Sequence, residues 1–208
     1  MSQEKFDREA TTWDEQPRRR ELAVALAAAI KAALPLSLEM EALEIGCGTG
    51  LLTCEVAGQL KNIVATDTST GMLAVLHDKI EALGLGNVKT QHLDLLRDTL
   101  SPSGFDLIFS AMTLHHIKET GPMLAACFAH LKPGAFLALA DLEEEDGCFH
   151  DDMTGVEHCG FDTKKLGVLA GACGFVDVHF KTAHRVRKEK GDGRLVEYPV
   201  FLMTARRP

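Results

Sequence analysis

A chain of 208 residues, 46% hydrophobic and 25% charged, suits one globular domain with a substantial core and excludes a fibrous repeat or a largely disordered chain. Its net charge of -8 weighs against a protein that grips a phosphate backbone, which carries a basic surface instead. Six cysteines without a CxxC pair, no secretory leader and no need for disulfide staples predict reduced thiols in a cytoplasmic protein.

The opening segment, Met1 to Arg20, is charged and lacks an apolar stretch. The alanine-rich run Leu22–Leu34 falls short of the roughly 20 residues needed to span a bilayer. It predicts a buried helix that begins after Gln16-Pro17 and is closed by Pro35. Ala42-Leu43-Glu44-Ile45 is a short apolar run ending abruptly in glycines, and reads as the first strand. A helix over 51–60, a strand over 62–66 and a helix over 71–83 follow, the last punctuated by Gly84 and Gly86. Val88–Leu93 is the third strand and delivers Asp94 at its carboxyl end. Phe105–Ser110 is the fourth, Pro122–Leu131 a helix, Lys132-Pro133-Gly134 a turn, and Ala135–Ala140 the fifth strand. Strands and helices alternate at short intervals, and several strands are apolar on both faces. That pattern belongs to an α/β fold with a doubly wound parallel sheet.

After Asp141 the rhythm changes. Glu143-Glu144-Glu145-Asp146-Gly147 is an acidic loop, Thr163–Cys173 is helical, and Gly174 ends it. Val176–Phe180 and Tyr198–Thr204 are strands separated by a polar, glycine-containing stretch without a helical pattern, which predicts an antiparallel hairpin at the sheet edge. With seven strands and no linker or repeat, residues 1–208 read as a single domain.

The richest motif is Glu44-Ile45-Gly46-Cys47-Gly48-Thr49-Gly50, placed after a strand and before a helix. Glycines there allow a tight turn and close approach of a ligand to the backbone. The helix start behind them offers unpaired N–H groups. Asp67 arrives about 20 residues later, where a carboxylate can accept from the hydroxyls of a ribose. The GxGxG spacing, with Leu51 where a further glycine would fall, counts against a nicotinamide dehydrogenase.

Residues 42–50 resemble the first motif of class I S-adenosylmethionine-dependent methyltransferases. Four more segments match that family in order: Ala65 to Leu73, His92-Leu93-Asp94-Leu95, Phe105 to Ser110, and Leu131-Lys132-Pro133-Gly134. The resemblance covers roughly residues 40 to 142 and implies a Rossmann-like seven-stranded sheet with S-adenosylmethionine as cofactor. It implies that Gly46 and Gly48 line the methionine and ribose, that Asp67 holds the ribose diol, and that Thr68 and Met72 lie beside the adenine. Asp94 and the Leu95 amide would pair with the adenine edge, and Ser110 and Ala111 would flank the methionine end. Glu44 belongs to the same first motif. The segment from Phe6-Asp7 to Trp13-Asp14 resembles a cap over the cofactor, within cap helices over 1–35. Bland roles compete at two positions: Asp94 also suits a helix cap and Met72 also suits the core.

The acceptor side is less legible. His115 and His116 follow the fourth strand, and His150 and His158 lie in an insert over 142–162 that is expected to overhang the site; structural packing competes for each. Cys148-Phe149-His150 and His158-Cys159 invite a zinc reading, but the spacing fits no closed zinc pattern, so no metal is expected. The basic stretch Lys181–Arg194 reads as a solvated hairpin tip, because no aromatic residues are interleaved for base stacking. The expected reaction is methyl transfer to a small-molecule acceptor, with no membrane partner. An RNA or protein acceptor is the runner-up, and a non-catalytic S-adenosylmethionine-binding module the third reading; neither the oligomeric state nor a catalytic residue can be read.

Overall fold

The computed structural model describes residues 2–100, 104–189 and 193–208. Two helices lead: α1 (Ser2–Glu9) and, after a 3-10 turn over Ala10–Glu15, α2 (Pro17–Ala33). Proline at the first position of α2 has the fixed φ a helix start needs, and gives up an N–H that would be unpaired there anyway. Then come β1 (Glu41–Ile45), α3 (Leu51–Val56), β2 (Asn62–Asp67), α4 (Thr70–Leu83), β3 (Val88–His92), β4 (Phe105–Ala111) and α5 (Thr120–His130). The chain closes with β5 (Leu131–Leu142), α6 (Thr163–Ala172), β6 (Val176–Glu189) and β7 (Leu195–Arg206).

The seven strands form one sheet in the order β3-β2-β1-β4-β5-β7-β6. All neighbouring pairs are parallel except the two made by β7, which runs antiparallel to β5 and β6. The alternation of side chains along each strand explains the two-sided burial. Ala42, Leu107, Phe109, Ala138, Ala140, Val200 and Leu202 pack on the face covered by α2, α3 and α4. Their neighbours Leu43, Ile45, Ile108, Leu137, Leu139, Phe201 and Met203 pack on the opposite face, against α5 and α6.

Three boundaries depart from the sequence reading. The helix over 51–60 is α only to Val56 and tightens to a 3-10 turn over Ala57–Gln59. Strand β5 begins at Leu131, which pairs with Phe105 before the register shifts to Leu107 and Phe136. Lys132-Pro133-Gly134 is therefore a bulge within the strand, at a residue with no N–H and a glycine at φ +80°. The stretch expected as a hairpin tip is mostly strand: β6 runs to Glu189 and β7 starts at Leu195. In β6, Val186 and Lys188 are buried while Arg185, Arg187 and Glu189 are exposed, and Arg187 meets Glu197 across the ladder at 2.8 Å. A polar edge strand carries too few apolar residues to announce itself. Lys190 and Asp192 of that stretch lie outside the described residues.

No helix among the described residues is long and apolar enough to cross a membrane.

Candidate active site

The strand order reverses between β1 and β4, and in open α/β sheets ligands bind in the crevice outside the carboxyl ends of the strands at such a point. The glycine loop leaves β1 there. Gly46, Gly48 and Gly50 have φ of +65°, +54° and +78°, the left-handed region that L side chains rarely adopt. A Cβ on Gly46 would lie 2.3 Å from Thr113 side-chain atoms, whereas one on Gly48 would meet nothing within 4 Å. The loop is pressed against β4's exit at Gly46 and faces open space at Gly48.

Asp67, at the end of β2, accepts from the Gly48 N–H and the Ser69 N–H at 2.8 Å each. Burial pushes its carboxyl above its ordinary value, and those backbone donors pull the other way. Beneath it Glu44 is buried at 2% exposure, hydrogen-bonded to the Thr53 hydroxyl. Burial is the main cause that raises this carboxyl to about 8, with the charge of Asp67 adding to it. Glu44 is thus a protonated acid at neutral pH, tied to α3 through Thr53. Thr68 is exposed and Met72 is buried at 2%. Ser69 caps α4, accepting from the Met72 N–H.

Asp94 accepts from the Leu96 N–H at 3.0 Å and faces Arg97 at 3.3 Å, and Leu95 beside it is buried. The turn-capping role is therefore present, and each carboxylate oxygen keeps a further acceptor site. The Ser110 hydroxyl donates to the Ile45 carbonyl at 2.6 Å and ties β4 to β1. Ala111 ends β4, and Met112 follows at φ +55°, a conformation that costs energy for a side chain with a Cβ and concentrates at functional sites. Thr113 then donates to the Gly46 carbonyl at 3.2 Å.

The N-terminal segment lies across this loop. Asp7 accepts from the Ser69 hydroxyl at 2.6 Å and the Gly71 N–H at 2.8 Å, a carboxylate at the positive end of α4. Those two donors hold its carboxyl below the usual range. Asp14 accepts from the Thr49 hydroxyl at 2.6 Å and pairs with Lys79, which also donates to the Thr49 carbonyl. Trp13 sits under the Arg19 guanidinium, 3.4 Å from the ring centroid, and edge-on to Phe6.

Three of the four singled-out histidines come together. His115 lies 4.1 Å from His116 and 4.8 Å from His150 between ring centroids, and His116 lies 6.1 Å from His150. His116 Nδ1 is 2.7 Å from the Gly155 carbonyl, and Phe6 packs edge-on against its ring. His158 stands apart: its Nε2 meets the Ile117 carbonyl at 2.9 Å, and its ring packs on Phe161. Burial first, and then the neighbouring His115, lower His116 and His150 to about 4 each, so both rings are neutral at pH 7. Among the described residues, no three His, Cys, Asp or Glu side chains are arranged to hold a metal ion.

Two functional groups were missed in the sequence. Asp141 pairs with His115, and its only signal was its place at the end of a strand. Lys188 is 8% exposed and donates to the Phe149 carbonyl and, at 2.9 Å, to Asp151, anchoring the insert.

Residues 42–134 match the methyltransferase domain family. A trans-aconitate 2-methyltransferase of Deinococcus radiodurans is 30% identical over 160 residues, covering 75% of this chain and 59% of that one. An uncharacterized methyltransferase of Schizosaccharomyces pombe is 29% identical over 135 residues, covering 58% of this chain. The present chain spans 48% of that relative's length. The structure of an N-methyltransferase of Bradyrhizobium japonicum with S-adenosyl-L-homocysteine bound superposes with a TM-score of 0.72 at 18% identity, covering 99% of this chain and 97% of that one. That likeness speaks to the fold, and the fold is the Rossmann-like one of methyltransferase domains. The match to the methyltransferase domain, these relatives and this fold together support a class I S-adenosylmethionine-dependent methyltransferase.

Proposed function

We propose that the protein transfers a methyl group from S-adenosylmethionine to a small-molecule acceptor. The observation that carries this reading is Asp67, held by two backbone N–H groups at the end of β2 beside a glycine loop that is open at Gly48. Gly46 and Gly48 present backbone to the methionine and ribose, and Asp67 accepts from the ribose diol. Thr68 and Met72 border the adenine, Asp94 accepts from its amino group, and the Leu95 amide donates to a ring nitrogen. Ser110 and Ala111 place β4's end against the methionine, Glu44 supports the loop, and Trp13 belongs to a cap over residues 1–35. Bound S-adenosylmethionine supplies a methyl carbon already activated on a sulfonium. The protein's task is to orient the acceptor behind the carbon–sulfur bond and exclude water, and orientation of this kind is worth up to roughly 7–11 kcal/mol.

Within residues 1–208, the cap and the insert over 142–162 are the segments outside the sheet and its helices that would recognise an acceptor, and their size suits a small one. The insert is drawn over the site: the Glu157 and His158 N–H groups donate to the His115 carbonyl at 2.9 and 3.1 Å, and Lys5 of α1 holds Asp152 at 2.9 Å. His115, His116 and His150 line the acceptor side, with His158 behind them. The name of the Deinococcus relative, which covers 75% of this chain, also places its acceptor among small molecules.

Calorimetry with S-adenosylmethionine and S-adenosylhomocysteine tests the reading. Both bind the wild type, and Asp67→Ala weakens both by about 100-fold, the loss of two charge-assisted hydrogen bonds. No binding of either compound to the wild type would sink it.

A further inference from the structure

Asp141 is fully buried near the end of β5. It accepts three hydrogen bonds: from His115 Nδ1 and the Leu142 N–H at 2.7 Å each, and from the His115 N–H at 3.1 Å. A carboxylate at Nδ1 assigns the ring proton to that nitrogen and leaves the Nε2 lone pair as the acceptor of a ring that is 1% exposed. His116 is set the same way by the Gly155 carbonyl. His150 Nε2 is buried with no hydrogen-bond partner, the state of a polar atom that faces a missing partner. Burial and neighbouring rings keep His116 and His150 uncharged at neutral pH, so neither competes with His115 as a charged group.

This cluster adjoins the glycine loop. Thr113, two residues before His115, donates to the Gly46 carbonyl. Phe6 packs on His116 while the next residue, Asp7, bonds Ser69 and Gly71. One short segment therefore touches both sides of the crevice.

Resting on the methyltransferase reading above, we propose that His115, oriented by Asp141, is the general base that takes the acceptor's proton, and that the acceptor is a neutral hydroxyl or thiol compound. A hydroxyl or thiol keeps a lone pair while protonated, and its proton becomes strongly acidic only as the new bond forms. An alkylammonium has no lone pair to attack with, and its pKa near that of lysine lies far above that of an imidazole. A carboxylate needs no base and would face the charge of Asp141. The nearby cations Lys5 and Lys188 are already paired with Asp152 and Asp151. In the step, the acceptor oxygen or sulfur bonds to the methyl carbon, and the carbon–sulfur bond breaks with its electron pair going to the sulfonium sulfur. The acceptor's proton passes to His115 Nε2, and the imidazolium stays paired with Asp141 until water takes the proton.

The full chain is incubated with methyl-labelled S-adenosylmethionine and a cell metabolite extract, and the product is identified by mass and fragmentation. The expected product is an O-methyl ether or S-methyl thioether. His115→Gln lowers its kcat by about 100-fold or more, with the acceptor KM and the dissociation constant of S-adenosylhomocysteine within about threefold of wild type, as for a residue that acts mainly in the transition state. Asp141→Asn lowers kcat with little change in the acceptor KM, the kinetic profile of a residue that acts through His115. The other titratable groups against the His115 ring are His116 on the same turn and His150 on the insert, with Lys5 of α1 near His116 and Lys188 of β6 near His150. Nitrogen-15 spectra of histidine-labelled protein bound to S-adenosylhomocysteine show His115 as the Nδ1–H tautomer at pH 7. These spectra and the Asp141→Asn profile carry the test if His115→Gln does not fold. An Nε2–H tautomer, an N-methyl or ester product, no methylated product, or full turnover by His115→Gln overturns the proposal. Calorimetry on the wild type separates that outcome from failure of the donor reading itself.

Discussion

The two sides of the crevice are assembled by different means. On the glycine-loop side, Glu44 to Gly48 and Asp67 to Gly71 sit at the ends of neighbouring strands, and most contacts are to backbone N–H groups. On the histidine side, Phe6, His115, His116, Asp141 and His150 come from four separated segments and meet through side chains. A cradle made of backbone depends on a few glycines and strand ends. A pocket made of converging side chains depends on the whole chain being folded, which makes it the side free to differ between relatives of one fold.

That contrast can be broken, most strongly at Gly46. Gly46→Val combines a φ of +65° with a Cβ 2.3 Å from Thr113, and we expect a loss of about 4 kcal/mol in urea unfolding together with abolished S-adenosylhomocysteine binding. Wild-type behaviour there would show that the backbone of the loop is not the cradle.

The next effect concerns the acid beneath the loop. Glu44 ionises near 8 in the fold against an ordinary value of 4.5, so the folded state binds a proton that the unfolded state has released between those values. Its stability contribution is complete below about pH 4.5 and is lost as pH rises through about 8, several kcal/mol in all. Unfolding curves over that range should slope downward for the wild type, and Glu44→Gln should flatten the slope.

On the histidine side, Asp141→Leu leaves the ring and backbone N–H groups of His115 and the Leu142 N–H without their acceptor in a buried place, at a cost of about 2 kcal/mol. A stability unchanged by this substitution would mean the pair is not closed in solution. Smallest of all is Lys5→Ala at the exposed Lys5–Asp152 pair. Surface pairs contribute little, so the melting temperature should stay within experimental error, although the acceptor KM should rise if this contact holds the insert over the site.

The same division governs what could be read in advance. The five parallel strands and their helices were legible because strands buried on both faces are apolar throughout and the glycines mark where the chain must turn. The ends of β6 and β7 were not, since an edge strand open to solvent alternates Arg185, Arg187 and Glu189 with only Val186 and the stem of Lys188 buried. Nor was the bulge in β5, where Leu131 pairs before the proline and Phe136 after it. The histidines could be singled out by type, but not sorted. His158 and His150 sit in the same insert, and of their rings His150's packs on His115 while His158's turns to Ile117 and Phe161.

The fold class and the position of the glycine loop were legible in the sequence, because they follow from local backbone demands and from periodic burial along each strand. Only the tertiary structure decided that Asp141 backs His115, that Phe6 and Asp7 bridge the two sides, and that Lys188 anchors the insert. Hydrogen-bond and ring contacts between residues 26 to 110 positions apart leave no periodic trace in the chain, since they are set by where the strands end in space rather than by what precedes or follows them.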